Sequence, residues 1–215
     1  MSLRIHEIYQ SVQGESTLAG MPCTFIRLAG CPLNCVYCDT PQAIPVDSGE
    51  QKTFDDILSQ IHAHHTPLVL VTGGEPLAQK NCIPLLSALL PLYEFVQLET
   101  AGAYDISNVP EDVSIILDIK TPGSGECDRN RWQNMNHLRK NTEIKFVLTD
   151  EADYQWAKEI ISQYDLAAQC TILMSCTWGS LSPKDLAEWI VADQLPVRLQ
   201  LQLHKYIWGA EVSGV

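Results

Sequence analysis

TFIRLAGCPLNCVYCDT, residues 24–40, runs from an apolar, β-prone stretch into a loop that sets Cys31, Cys35 and Cys38 within eight positions. The β-branched and aromatic residues of the first half read as a strand. Gly30, Pro32 and Asn34 then let the chain curl. Three thiols form an awkward set, because structural zinc takes four ligands and disulfides take an even number of cysteines. Spaced CxxxCxxC, three thiolates can hold three corners of a cubane iron–sulfur cluster and leave its fourth iron open to a cofactor or substrate. The alternative is zinc with a distant fourth ligand such as His6, His62 or His204.

Outward from this loop the chain alternates between short β-rich runs and helical patterns. RIHEIYQSV (4–12) and CTFIRLAG (23–30) read as an N-terminal strand pair around the loop QGESTLAGMP. FDDILSQIHAHH (54–65) has Ile57, Leu58 and Ile61 at helical spacing with Thr53 as N-cap. PLVLVTGG (67–74) is a buried strand ending in glycines, and CIPLLSALLPLY (82–93) a helix. FVQLET, SIILDIK, EIKFVLT and TILMS follow as strands, with helical patterns at NRWQNMNHLRK, EADYQWAKEIISQY and SPKDLAEWIVAD. A final alternating strand, VRLQLQLHKYIW (197–208), places Leu199, Leu201 and Leu203 on one side and Gln200, Gln202 and His204 on the other.

Such alternation predicts right-handed βαβ units and a parallel sheet. About six parallel strands are too few for an eightfold barrel. The fold class expected is α/β, a partial open barrel with the strand pair at its N-terminal edge, as one domain over residues 1–215. Chemistry in such sheets gathers beyond the carboxyl ends of the strands. Thr72-Gly73-Gly74-Glu75-Pro76, Glu99-Thr100, Asp118 to Pro122 and Ser175 fall there, on the same rim as the cysteine loop.

The formal net charge of -12 argues against broad nucleic-acid or membrane-surface binding, which needs a basic face. No apolar run reaches the length of a membrane span, and MSLRIHEIYQ lacks the apolar segment of a signal peptide. A cytoplasmic protein with reduced thiols is expected. The scattered Cys23, Cys82, Cys127, Cys170 and Cys176 read as small buried apolar residues.

The cysteine loop followed by TGGEP resembles the radical S-adenosylmethionine superfamily. YQSVQGEST, TFIRLAGCPLNCVYCDT, VTGGEP, LDIKTPGSG and LQLQLHKYIWG, in that order, are similar to the 7-carboxy-7-deazaguanine synthase family within it. The resemblance implies a reduced, dimeric barrel holding a [4Fe-4S] cluster on Cys31, Cys35 and Cys38, with S-adenosylmethionine on the open iron. It implies ring contraction of 6-carboxy-5,6,7,8-tetrahydropterin to 7-carboxy-7-deazaguanine with loss of ammonia, on the route to queuosine and related 7-deazapurines.

Carried over by position, the resemblance places Tyr37, Cys38, Asp39, Gly73, Gly74, Glu75, Asp118, Lys120 and Ser175 near S-adenosylmethionine. Val12, Gln13, Gly14, Glu15, Arg27, Thr72 and His204 match substrate positions, and Thr40 the Mg²⁺ position. Arginine's planar fork suits the substrate carboxylate. Asp39 is also read as a cap for the following turn, and Asp118 as an ion-pair partner of Lys120. The chain departs from the family pattern at Asp118, at Cys176 and at Ser16.

An external electron donor of the flavodoxin type is compatible with this reading. A glycyl-radical activase shares the cysteine spacing but lacks the QGE loop. A non-catalytic electron-transfer protein would carry a fourth nearby cysteine and no glycine motif.

Overall fold

The computed structural model describes residues 1–215. The N-terminal strands β1 (Ser2–Val12) and β2 (Pro22–Leu28) pair antiparallel, and β3 (Glu50–Thr53) joins the free side of β1. From β2 the sheet continues in parallel through β4 (Leu68–Gly73), β5 (Phe95–Thr100), β6 (Ser114–Asp118), β7 (Thr142–Leu148), β8 (Thr171–Cys176) and β9 (Arg198–Gln200). The order is β3-β1-β2-β4-β5-β6-β7-β8-β9, one sheet of nine strands. The α/β reading with a parallel sheet and an N-terminal strand pair therefore holds. β2, expected only as half of the N-terminal pair, also runs parallel to β4, so the parallel strands number seven against the expected six.

Helices α1 (Phe54–His62), α2 (Cys82–Leu89), α3 (Glu151–Gln163) and α5 (Pro183–Ala192) cover one face; α4 (Leu166–Gln169) is a single turn. That face carries the main core, where Ile26, Val71, Leu98, Leu117, Phe146 and Met174 meet Ile57, Leu86 and Ala157. The opposite face begins apolar, with Phe25, Leu70 and Ile116 in a small cluster. Two residues further along each strand, on the same side because side chains alternate, stand Arg27, Thr72 and Asp118. Glu99 and Lys145 extend this layer from β5 and β7, and the register sets Arg27 beside Thr72 and Asp118 beside Lys145. A charged layer at the carboxyl ends of the strands is what positions the site.

Three elements differ from expectation. VRLQLQLHKYIW is a strand only to Gln200; α6 (Leu203–Ile207) follows. β9 is the last strand of the sheet and has no further neighbour to hold its alternation, and the Leu203 N–H donates instead to the Gly14 carbonyl at 3.0 Å. NRWQNMNHLRK yields a 3₁₀ segment, Trp132–His137, rather than an α-helix, because the buried Asn134 amide donates to the carbonyls of Gly102 and Tyr104. β3, sequence EQKT, shows no apolar alternation and so carries no strand signal in the sequence.

Thr53 caps α1 as expected. Its hydroxyl accepts from the Asp56 N–H while the Asp56 carboxylate accepts from the Thr53 N–H, a capping box. Thr53→Ala is expected to cost about 1 kcal/mol and lower the melting temperature by roughly 2–4 °C, read by thermal denaturation. No helix is long and apolar enough to cross a membrane.

Candidate active site

A cavity of about 660 Å³ opens over the charged layer. It brings together Val12, Gln13, Gly14, Glu15, Arg27, Thr72 and His204 with Cys31, Cys35, Tyr37, Cys38, Asp39, Thr40, Gly73, Gly74, Asp118 and Lys120. Of the residues that the resemblance places at the site, only Glu75 and Ser175 stand outside its lining. Glu75 is fully buried behind the rim, where its carboxylate accepts from the N–H groups of Leu77 and Ala101 and from the Thr100 hydroxyl. It braces the glycine turn from behind. Ser175 is buried with an unpartnered hydroxyl.

The cysteine loop is held from both sides. Gly30 and Cys31 donate N–H bonds to the carbonyls of Ala43 and Ile44. Opposite, the Val36 N–H donates to the Ser124 carbonyl at 3.0 Å, and the Asn34 N–H to Glu126 at 2.8 Å. The segment around Ser124 is fixed in turn by buried Asp153 at the start of α3. Its carboxylate accepts from the Thr121 hydroxyl, the Gly123 N–H and the Thr149 N–H at 2.8–2.9 Å. Asp153 carried no signal in the sequence beyond its place in the first turn of a helix.

These residues fit a cluster. The three thiols line one cavity, and burial raises those of Cys31 and Cys35, the latter to about 11. Iron would bind there by displacing protons. No trio of His, Cys, Asp and Glu converges on one point, as a single zinc ion would require.

The glycine turn is seated against the cysteine loop. A Cβ on Gly74 would meet the Gly30 carbonyl and come within 2.8 Å of the Cys31 Cβ, so only glycine lets the two segments pack this closely at the cavity wall. Lys120 donates to Asp118 at 2.9 Å and lies 5.9 Å above the Tyr37 ring. Burial disfavours the Lys120 charge, but Asp118, Tyr37 and Cys35 together outweigh it and raise the ammonium above its usual range. The second Asp118 oxygen, Oδ1, is buried without a partner, free to accept from a ligand. The Asp118–Lys120 pair is thus present, alongside an acceptor still unused.

Around the rest of the cavity, Arg27 donates to Glu7 at 2.7 Å and to the Tyr9 hydroxyl at 3.0 Å, with its remaining nitrogen 3.5 Å from the Thr40 hydroxyl. Asp39 makes no cap to the next turn. It pairs with Lys205 and accepts from Gln202, both at 3.2 Å, and against the cost of partial desolvation Lys205 and Lys145 hold it down to about 2. Burial lowers the His204 imidazole, so it stands neutral near pH 7. Its Nδ1 lies where a Cβ on Gly14 would come within 2.5 Å, so the QGES loop and the LHK segment meet through that glycine.

Lys145, Gln202 and Lys205 were missed in the sequence. Lys145 reads as one polar position in a strand, and the other two sit in the segment that turns from strand to helix.

The Radical SAM superfamily profile matches residues 25–121. The chain is 45% identical to 7-carboxy-7-deazaguanine synthase of Chlorobaculum tepidum, over 99% of this chain and 97% of that one. It is 38% identical to the enzyme of the same name from Koribacter versatilis, over 99% and 100%. The crystal structure of QueE from Escherichia coli superimposes with a TM-score of 0.70 at 22% identity, covering 93% of each chain, a likeness of fold. The chain belongs to the 7-carboxy-7-deazaguanine synthase family, within the Radical SAM superfamily.

Proposed function

We propose that this protein is a radical S-adenosylmethionine carbon–nitrogen lyase that contracts 6-carboxy-5,6,7,8-tetrahydropterin to 7-carboxy-7-deazaguanine with loss of ammonia, in 7-deazapurine biosynthesis. One observation carries the reading beyond family membership. A single cavity joins the three-cysteine loop to Arg27, the QGES loop and His204, so a radical source and a carboxylate-bearing ring can sit side by side.

Cys31, Cys35 and Cys38 would hold the cluster, which with S-adenosylmethionine supplies a hydrogen-abstracting radical when bound. Tyr37, Gly73, Gly74, Asp118 and Lys120 would flank the cofactor. Val12, Gln13, Gly14, Glu15, Thr72 and His204 would enclose the pterin, with Arg27 on its carboxylate and Thr40 offering a hard oxygen to Mg²⁺. The protein's share of the chemistry is orientation and exclusion of water.

The protein acts in the cytoplasm as one domain over residues 1–215, supplied with electrons by a flavodoxin-type donor. A homodimer is supported by the exposed Trp178, Tyr206, Ile207 and Trp208 near the outer strand β9.

The test is anaerobic turnover by reconstituted protein with S-adenosylmethionine, 6-carboxytetrahydropterin, Mg²⁺ and reductant, read by mass spectrometry. Formation of 7-carboxy-7-deazaguanine is expected. 5′-Deoxyadenosine without that product would overturn the substrate assignment.

A further inference from the structure

Lys145 is the most enclosed charge of the site, 4% exposed at the centre of the polar layer. Its ammonium donates to Glu15 Oε2 at 2.7 Å and to Glu99 Oε1 at 2.5 Å, and stands 4.0 Å from Asp118 Oδ2. The two glutamates arrive from opposite directions, Glu15 from the loop after β1 and Glu99 from β5. Each turns its second oxygen to another cavity group: Glu15 Oε1 accepts from Gln202 at 2.9 Å, and Glu99 Oε2 from Thr72 at 3.2 Å. An ionised carboxylate only accepts hydrogen bonds, whereas a protonated one also donates. The tetrahydropterin ring system presents several N–H donors, so this pair offers it a full set of acceptors, with no competing O–H donor, only while both are ionised.

We propose that Lys145 is a positioning residue for substrate: its ammonium bridges Glu15 and Glu99 so that both stand as ionised acceptors toward the N–H groups of the bound pterin. This rests on the substrate reading above.

The surrounding charges are arranged for it. Asp118 faces it from the end of β6, itself paired with Lys120 just beyond that strand, and Glu143 lies two residues earlier on its own strand, tied to the N–H and hydroxyl of Thr17. Arg27 from β2, Asp39 from the cysteine loop, and His204 with Lys205 from α6 complete the ring of titratable groups. Burial disfavours the Lys145 charge, but its carboxylate partners raise the ammonium well above its usual range. In the native protein the bridge therefore stays charged through neutral pH. Without it, two half-buried carboxylates of like charge face one another across the space its ammonium held, and one takes up a proton.

Lys145→Met is the direct test, run beside the wild type on reconstituted protein. Product formation is expected to fall about 10- to 100-fold in kcat/KM near neutral pH. It should recover as pH rises toward 9, a limb the wild type lacks, while iron content and 5′-deoxyadenosine formation stay near wild type. Substrate binding to cluster-free protein, followed by calorimetry, is expected to acquire the same pH dependence.

Two further variants separate a bridge from mere packing and serve also if Lys145→Met fails to fold. Lys145→Arg keeps the charge, and Lys145→Met/Glu99→Gln removes the repulsion; both are expected to lack the new limb. A Lys145→Met enzyme slowed at every pH alike, or within twofold of wild type, overturns the bridge, as does a limb that persists in the double variant. A wild type that cleaves S-adenosylmethionine without making product overturns the substrate reading instead.

Discussion

Cys35→Ala is expected to yield a folded protein that assembles no four-iron cluster and forms neither 5′-deoxyadenosine nor 7-carboxy-7-deazaguanine. The fold should survive because Cys35 is only half-buried and makes no hydrogen bond through its thiol. The loop around it is held by other contacts, the Val36 N–H on Ser124 and the Asn34 N–H on Glu126. Melting of the metal-free variant should fall within about 2–4 °C of metal-free wild type, the shift that accompanies 1 kcal/mol in a domain of this size. The cluster should not survive, because the chain offers no substitute. Cys127 is the cysteine nearest in sequence to the segment that clamps the loop, and its side chain lies within reach of Asn130, 4.0 Å away. Iron and sulfide analysis after reconstitution checks the claim. Four irons retained by Cys35→Ala would mean that another thiol completes the site and that the CxxxCxxC loop is not its sole holder.

The sheet was legible because parallel strands buried on both faces read as short apolar runs. LVLVTG and SIILD stand out as strands by composition and length alone. The cysteine loop and the glycine turn were legible through their spacing. The charged layer was not. Lys145 lies in EIKFVLT, where alternation marks Glu143 and Lys145 as one side and Ile144 and Phe146 as the other. A polar side facing solvent and one facing an enclosed cavity have the same period, so the pattern cannot distinguish them. Burial of every residue in that strand settles the matter only once its neighbours are in place.

The C-terminal segment failed for the opposite reason. Its alternation from Val197 to Leu203 was real, but an outermost strand needs a partner to extend along, and Gly14 claimed the backbone first. His204 still reached the cavity, by way of a helix. Glu75 shows a motif residue whose place in the sequence was right but whose side chain braces the turn from behind, where only the three-dimensional hydrogen bonds reveal it.

Arg27→Met should separate substrate capture from radical generation. The wild-type guanidinium is fixed on one edge by Glu7 and on another by the Tyr9 hydroxyl, and Tyr9 is itself stacked on Phe25 at 4.9 Å. Only the nitrogen toward Thr40, at 3.5 Å, keeps a loose partner, so this part of the fork is left to a ligand of the cavity, in the proposed reading the substrate carboxylate. Methionine matches much of the aliphatic length but removes every donor. Breaking one side of such a charge-assisted pair costs about 2–5 kcal/mol, so kcat/KM should drop roughly 30- to 5,000-fold, chiefly through KM. Cleavage of S-adenosylmethionine should continue, because no residue of the cysteine loop or glycine turn is altered, and 5′-deoxyadenosine should accumulate out of proportion to product. Arg27→Lys should recover only part of the loss, since a point charge cannot bind Glu7, Tyr9 and a carboxylate at once as the planar fork does. An unchanged KM in Arg27→Met would place the carboxylate elsewhere, with Lys205, which lines the cavity beside Asp39, as an alternative cation, and would leave Arg27 as the ion-pair partner of Glu7 alone.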